Sequence, residues 1–369
     1  MRRIGLKPRE ARTLSDKIQY ERMVYECQQC RRCVAPLDRE LGMESGEAMS
    51  QGLVRRVAWS AASHSFADAS ADVKEMLGIE VSAAECQRVA VQEGKRIEEA
   101  QRQAEALRLA PVSPDQPAPK PEIQAERLVI EADAGSVLTR SDEEHKMVWC
   151  GRAFALEDRG KKEGNEGRPF IGMSRHTVGS EDMEDFGPRL KALGWRMGMR
   201  QAVEVAFVAD GQACLWKWAK DHLPPGTVLI QDYWHVAQHL ADLAKALEPE
   251  EARAKEKWEA WKRALWESRL DDLLQELNRE HNKRRGALRE TLGHEMTYLE
   301  NGRERMDYKR FREQGWLIGS GAIEADCKHL VKERMGVVGA RWRRANIGAI
   351  LALRVAIFNQ EWEAAWKRN

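Results

Sequence analysis

The sequence predicts an α/β protein whose mixed sheet is interrupted by a helical insertion, and three observations predict it. The first is Val203–Leu240, which reads strand, acidic turn, helix, strand, acidic turn, helix. Val203–Val208 is apolar and rich in β-branched residues, and it ends at Asp210-Gly211. Cys214–Lys220 has helical character and stops at Pro224-Pro225-Gly226, and Thr227–Ile230 ends at Asp232. Two short apolar runs joined by a helix make a βαβ unit with parallel strands. The second observation is a set of three further apolar runs just upstream, at Leu128–Ile130, Met147–Leu156 and Phe170–Val178. The third is helical periodicity, without strand alternation, across residues 46–109 and again across 241–312.

The totals narrow the function classes. At 369 residues the chain can hold two or three domains and bury a sizeable core. A formal net charge of +1 gives no whole-chain signal for nucleic acid, so any such signal must be local. No apolar run reaches membrane-spanning length, and nothing apolar follows Met1-Arg2-Arg3 as a secretory signal would require. Seven cysteines, four of them scattered singly, fit a reducing cytoplasm better than a disulfide scaffold. The expectation is a cytoplasmic protein with no membrane partner.

Taken in order, residues 1–45 read as a hairpin and a cysteine knuckle. Ile18, Tyr20, Met23 and Tyr25 alternate into Cys27, Cys30 and Cys33, a C-x2-C-x2-C run. Structural zinc wants four ligands, and His64 and Cys86 are remote. A zinc knuckle, a metal-free thiol cluster and the opening of an iron–sulfur motif all remain open; the last lacks its fourth Cys. Residues 46–109 read as a helical region. Met49–Ala62 has an apolar face, a second helix follows Ser65 and stops at Gly78, and Ser82-Ala83-Ala84-Glu85 is a capping box that opens a third. Helix, short turn and capped helix suit either a helix-turn-helix or an ordinary helical hairpin. In the former case Gln87, Arg88, Gln92 and Lys95 are the candidate DNA contacts.

Residues 110–126 carry Pro111, Pro114, Pro117, Pro119 and Pro121, a stiff linker that separates packed domains. Residues 127–240 hold the sheet, with Asp133 placed where the first strand meets a Gly turn, a charged loop at Asp158–Arg168 and a helix at Phe186–Leu193. Residues 241–312 are the insertion, in which Trp258 and Trp261 share one helix face. Residues 313–369 return to the sheet domain through Gly319-Ser320-Gly321, with Glu324 in the first turn of the next helix. A basic segment, Arg341–Arg344, precedes a final amphipathic helix at Leu351–Trp366.

Asp133, Asp210 and Glu324 are the acidic residues that this layout places at strand ends or helix starts. Ligand sites in such sheets lie outside the carboxyl ends of the strands. Carboxylates there suit Mg²⁺ or Mn²⁺, and two such ions about 3.5–4 Å apart serve phosphoryl transfer. Taken singly, an Asp before Gly is a turn residue and a Glu in a first helical turn complements the dipole.

The combination resembles the RNase H-like core of DDE transposases, and more closely the Mutator-related transposases of bacterial insertion sequences of the Kra type. The residues that carry the resemblance are EADAGSV, VADGQACLW, VLIQDYWHVAQHL and IGSGAIEADCKHLVKERM, with CQQCRRCVAPLDRELGM upstream. It covers the chain from about residue 20 onward. It implies an RNase H-like five-stranded core split by the helical insertion, with Asp133, Asp210 and Glu324 as a catalytic triad for a two-metal Mg²⁺ or Mn²⁺ site. Asp232 and His235 match a D-x-x-H element: Asp232 is expected behind the metal ligands or positioning substrate, with direct metal contact also open since it too ends a strand, and His235 orienting the scissile phosphate or a water. His235 and His239 stand one helical turn apart, with no third soft ligand nearby in sequence. The family carries a further cysteine pair upstream; this sequence has none before Cys27, so Zn²⁺ at Cys27, Cys30 and Cys33 and the completeness of the N-terminal domain are both open.

The expected activity is metal-dependent phosphodiester hydrolysis at element ends, followed by transfer of the 3′-hydroxyl into target DNA. The expected partner is double-stranded DNA, with a homodimer or larger assembly pairing two ends. Lys328, Lys332, Arg334, Arg341, Arg343 and Arg344 are candidate phosphate contacts, and Trp342 a candidate stacking platform. Two rival functions remain: an RNase H-like nuclease without joining activity, and an inactive or domesticated sequence-specific DNA-binding protein.

Overall fold

The computed structural model describes residues 1–43, 49–111, 117–143, 146–158, 169–180 and 182–367. The predicted contributions of residues 46–48, Pro114 and most of the Asp158–Arg168 loop lie outside the described residues. The chain divides into two compact units. One comprises Met1–Gln101, Leu138–Glu144 and Lys332–Asn369, and the other Arg102–Val137 and His145–Val331. The sheet unit thus ends at Val331. The predicted return of 313–369 to the sheet domain holds only for its first part.

In the first unit, β1 (Arg2–Arg12) and β2 (Lys17–Glu26) form an antiparallel hairpin, and β3 (Cys33–Val34) pairs with the end of β2. The short helix α1 (Pro36–Glu40) follows, with Asp38 of α1 buried against Arg22 at 2.8 Å and against Arg9. Helices α2 (Gln51–Ser63), α3 (Phe66–Leu77) and α4 (Ala83–Leu109) begin as the sequence predicts. Ser65 Oγ accepts from Asp68 N at 3.1 Å, and Gly78 takes φ 68° to end α3, a conformation open to glycine. Ser82 N donates to Glu85 Oε2 at 2.9 Å and Glu85 N to Ser82 Oγ at 3.3 Å, which closes the capping box.

The second unit is built on a five-stranded mixed sheet. Its strands are β4 (Arg127–Val137), β5 (Lys146–Asp158), β6 (Pro169–Gly179), β7 (Glu204–Ala209) and β8 (Val228–Gln231), in the order β6-β5-β4-β7-β8. β5 runs antiparallel to β4 and β6, while β7 and β8 run parallel to β4. Between β6 and β7 lies α5 (Met183–Arg196), and α6 (Ala213–His222) crosses from β7 to β8. β4 does not end at Asp133. It pairs with β5 as far as Val137↔Lys146, so Gly135 lies within the strand and no turn forms there.

Strand alternation sorts the two faces. Leu128, Ile130 and Ala132 of β4 point into a core with Phe186 and Leu190 of α5 and Leu215 of α6. Val129 points the opposite way, into a second core with α7 (Tyr233–Leu247) and the insertion. The insertion comprises α8 (Glu251–Trp266), α9 (Leu270–Lys283), α10 (Ala287–Gly302) and, after a single 3-10 turn, α11 (Tyr308–Glu313). Trp261 of α8 is fully buried in that core, and Trp258 packs against it. The predicted linker is also packed along its second half. Ile123 and Ala125 lie against the α5 core, and Glu122 binds Arg175 at 2.8 Å and Arg196 at 2.5 Å.

Helix α12 (Gly321–Asp326) unwinds into a π-helical turn at Cys327–Lys332, followed by α13 (Glu333–Met335). The final helix differs from expectation. α14 (Arg344–Phe358) begins earlier and is buried on most sides, from Ile347 through Ala356. It breaks at Gln360, whose φ is 60°, before α15 (Trp362–Ala365). A helix apolar all round is a core helix. Gly94 of α4 meets Ala349 so closely that an added Cβ would lie 2.2 Å from its carbonyl oxygen.

Candidate functional site

Asp133, Asp210 and Glu324 all belong to the sheet unit. β4 pairs with β7 as far as Glu131↔Val208; Asp133 lies two residues further along β4, and Asp210 follows the last residue of β7. Both therefore stand at the same end, the rim, of the paired segments of β4 and β7. Asp133 Oδ1 accepts from Ala134 N at 2.7 Å. Asp210 accepts from Gln212 N at 3.1 Å and Gln212 Nε2 at 3.0 Å, which rigidifies the turn that presents it. Both are partly solvent-accessible. Glu324 is exposed, in the first turn of α12, which packs on β4 and β5.

Beneath this rim the same sheet face carries a buried polar layer. Glu131, Arg152 and His176 share that face through the Glu131↔Arg152 and Arg152↔His176 pairings. Asp326 of α12 joins them: its Oδ2 lies 2.8 Å from His176 Nδ1 and its Oδ1 accepts from Arg152 Nη1 at 3.2 Å. Arg152 Nη1 also donates to Ala322 O at 3.2 Å, which ties α12 to β5. Glu131 is fully buried, and neither of its oxygens makes a hydrogen bond of good geometry, although the Ile323 backbone favours its charge. Burial, helped by Asp326 and Asp232, pushes its carboxyl up to about 8 against the pull of Arg152. Cys150 stands opposite Asp133 on β5, and the buried thiol of Cys327 is hydrogen-bonded to Cys150 and pushed up by that bond and by burial.

Asp232 is a clamp. It is fully buried and caps α7, accepting from His235 N at 2.7 Å. Its other oxygen accepts from Ser320 Oγ at 2.5 Å and from Ser320 N. Its own N–H donates to Ala209 O at 2.8 Å, beside Asp210. Asp232 thus joins the end of β7, the start of α7 and the loop before α12, and all of its oxygens are engaged by protein donors.

Several groups near Asp210 come from the insertion, where sequence spacing does not reveal them. His239 Nε2 lies 3.2 Å from His235 Nε2, and His239 Nδ1 lies 3.2 Å from Glu295 of α10. Tyr298 stacks on His239 with ring centroids 4.8 Å apart, and its hydroxyl donates to Asp210 O at 3.3 Å. Glu295 draws the His239 imidazole above its ordinary range, against the opposing effect of burial. Trp234 is 59% exposed, next to Gly319, where an added Cβ would lie 2.9 Å from the indole. The phase of α7 carries that signal: Tyr233, Val236, Ala237 and Leu240 are buried, which leaves Trp234 outward.

The predicted DNA contacts divide. On α4, Arg88, Gln92 and Lys95 are exposed along one stripe, opposite buried Cys86, Val89 and Ile97, and Gln87 is half-buried at its edge. Lys328, Lys332, Arg341, Arg343 and Arg344 are exposed. Trp342 and Arg334 are corrections. Trp342 is 6% exposed, donates from Nε1 to Met335 O at 3.1 Å and packs edge-on to Phe66. Arg334 is 3% exposed, donates to Ala61 O at 2.9 Å and lies over both rings. Neither is placed to touch a base or a phosphate. The basic flanks suggested a surface segment, but the indole fills the core of the first unit.

The fit to metals differs between the two predicted centres. The rim supplies hard carboxylate oxygens, which suit Mg²⁺ or Mn²⁺. One of them lies on β4 and one just after the end of the adjacent β7, although among the described residues no three His, Cys, Asp or Glu side chains gather closely enough to hold an ion. At the knuckle, Cys27 and Cys30 are hydrogen-bonded and backbone N–H groups hold the Cys27 thiol below its ordinary range, while Cys33 stands opposite Glu26 on β3. Cys86 is buried in α4, and His64 is held 2.7 Å from Asp72. Among the described residues these side chains do not gather into a ligand cluster. Among the described residues no helix is long and apolar enough to cross a membrane. No protein-family model matches the chain, and no curated protein matches it.

Proposed function

We propose that this chain is a DNA transposase of the DDE type, with an RNase H-like core, similar to the Kra-type Mutator-related enzymes. The observation that carries the reading is the register of β4 and β7. It supports the reading by bringing Asp133 on β4 and Asp210 just after β7 to the same end of their paired segments, in a sheet ordered β6-β5-β4-β7-β8, with Glu324 on a helix packed over β4 and β5 after a helical insertion. That strand order and mixture of directions is compatible with an RNase H-like core.

Asp133, Asp210 and Glu324 would hold Mg²⁺ or Mn²⁺, which when bound activates the attacking oxygen and stabilises the leaving one. The remaining work belongs to the chain itself. Asp232 fixes the loop before α12 to the starts of α7 and the Asp210 turn, and so sets where Glu324 stands. Trp234 offers an exposed ring beside that loop for an unpaired base, the role first expected of Trp342. Arg88, Gln92 and Lys95 present an exposed polar stripe of α4 to double-stranded DNA.

The test is nicking and strand transfer on supercoiled plasmid, with Mn²⁺ titration calorimetry alongside. Asp210→Asn is expected to lower nicking by at least ~10³-fold and to abolish the metal heat, with the melting temperature unchanged. Equal heats and equal rates in the two proteins would return Asp210 to the role of a turn residue. Nicking without any joined product would favour the nuclease, and metal-independent DNA binding without cleavage the binding protein.

A further inference from the structure

We infer that Glu295 acts through His239 to fix the tautomer and orientation of His235, which makes both positioning residues for the site at Asp210. The inference rests on the reading above for what the site does, and on hydrogen-bond chemistry for how it is held.

His239 Nδ1 lies 3.2 Å from each carboxylate oxygen of Glu295. An ionised carboxylate only accepts, so that nitrogen carries a hydrogen. With His239 in its neutral form, as at the pH 8 of the test below, the ring has one N–H, which leaves His239 Nε2 with a lone pair. The partner 3.2 Å away is His235 Nε2, and one hydrogen lies between the two nitrogens. His235 must supply it. His235 is therefore the Nε2–H tautomer, with its lone pair at Nδ1. Without the carboxylate, nothing in this chain of bonds dictates which ring donates.

The same helix braces the acidic turn. Tyr298, one turn beyond Glu295 on α10, stacks on His239 with the rings 10° from parallel. Its hydroxyl reaches Asp210 O, and a Cβ on Gly211 would lie 3.0 Å from that hydroxyl. The backbone N–H of His235 is meanwhile fixed by Asp232. The insertion therefore does more than cover the sheet: α10 sets the His235 ring from one side and the Asp210 turn from the other. The orienting carboxylate beside a histidine is the arrangement by which active sites select a tautomer.

The experiment is long-range ¹H–¹⁵N correlation on the full chain labelled at histidine nitrogen, at pH 8. The wild type should show His239 as the Nδ1–H form and His235 as the Nε2–H form. Glu295→Ala should move both rings away from those forms, and Glu295→Asp should restore them. In plasmid nicking with Mn²⁺, Glu295→Ala should lower kcat about tenfold at unchanged KM, with recovery in Glu295→Asp. Wild-type His235 in the Nδ1–H form, or the same tautomers in Glu295→Ala, would overturn the inference even if nicking remains metal-dependent. Tautomers that shift as stated in a protein that never nicks DNA would uphold the positioning and sink the transposase reading. Glu295→Gln, of nearly the same shape, replaces the alanine variant if that one fails to fold. Its amide donates as well as accepts, so it should give mixed tautomers.

Discussion

One face of the sheet carries two layers of carboxylates that sit a single strand repeat apart yet live in opposite conditions. At the rim, Asp133 and Asp210 keep access to water; Asp133 accepts from the next amide of its strand and Asp210 from the amide of its turn. One layer down, Glu131 and Asp326 are buried, and the protein answers each differently. Asp326 receives Arg152 and His176, whereas Glu131 receives no good hydrogen bond and keeps its proton. A carboxylate removed from water must be paired or neutralised. Those at the rim, reached by water, offer the hard oxygen donors that suit a hard cation. Depth separates structural acids from available ones, although Glu131 and Asp133 are separated by one residue.

The largest effect expected from breaking this contrast is at Asp326. Asp326→Ala leaves Arg152 and His176 facing each other in the interior, and removing one partner of a buried pair costs about 3–5 kcal/mol. Urea denaturation should show that loss, whereas Asp133→Asn on the rim should stay within about 1 kcal/mol of wild type. A rim variant as unstable as the buried one would erase the distinction between the layers.

The second effect is at Glu131 and appears only across a pH range. In the unfolded chain this carboxyl loses its proton near 4.5, and in the fold it keeps it until about 8. Between those values the folded state holds one more proton than the unfolded state. Stability must therefore fall as pH rises through that window and level off above it. Over the full window the loss amounts to roughly 3–5 kcal/mol. Glu131→Gln should remove the slope, so that the variant becomes more stable than wild type by that amount at pH 8 and matches it near pH 4. Chemical melts in EDTA would read the difference, and parallel profiles would place a charged Glu131 in the core.

How much of this was legible in the sequence follows from what local pattern encodes. The strands, the βαβ unit and the insertion follow from periodicity, and the caps at Ser65 and Ser82 follow from spacing. The strand-end location of Asp210 follows too. The extent of β4 does not, because Gly135 signals a turn and only the pairing with β5 carries the strand past it. Nor does Asp326: Glu324 has the expected first-turn position, while α12 turns Asp326 into the sheet through contacts with β5 and β6. The partners of His235 and the Asp210 turn are hardest to foresee, since Glu295 lies 56 residues beyond His239. The place of Trp342 is not legible either, because flanking arginines describe its neighbours and not its own contacts.

A third carboxylate environment, at the start of α4, sharpens the comparison with the smallest expected effect. Glu85 closes the capping box on Ser82 and also pairs with Arg12, whose Nη1 donates to Glu80 O at 2.8 Å. Its side chain is 22% exposed, so it is neither sealed like Asp326 nor open like the rim pair. The bond from Arg12, followed by those from Ser82, holds its carboxyl down to about 2. A depressed folded value contributes stability above the ordinary carboxylate range that disappears as pH falls through about 2. Solvent screening at this exposure reduces the pair well below what the shift alone would suggest. Glu85→Gln keeps an acceptor for the Ser82 N–H and loses only the charge, so it should cost about 1 kcal/mol at pH 7. The cost should shrink in high salt and vanish near pH 2. If instead it reached the 3–5 kcal/mol expected for Asp326 and ignored salt, Glu85 would belong with the buried acids, and exposure would not be what sorts the carboxylates of this protein.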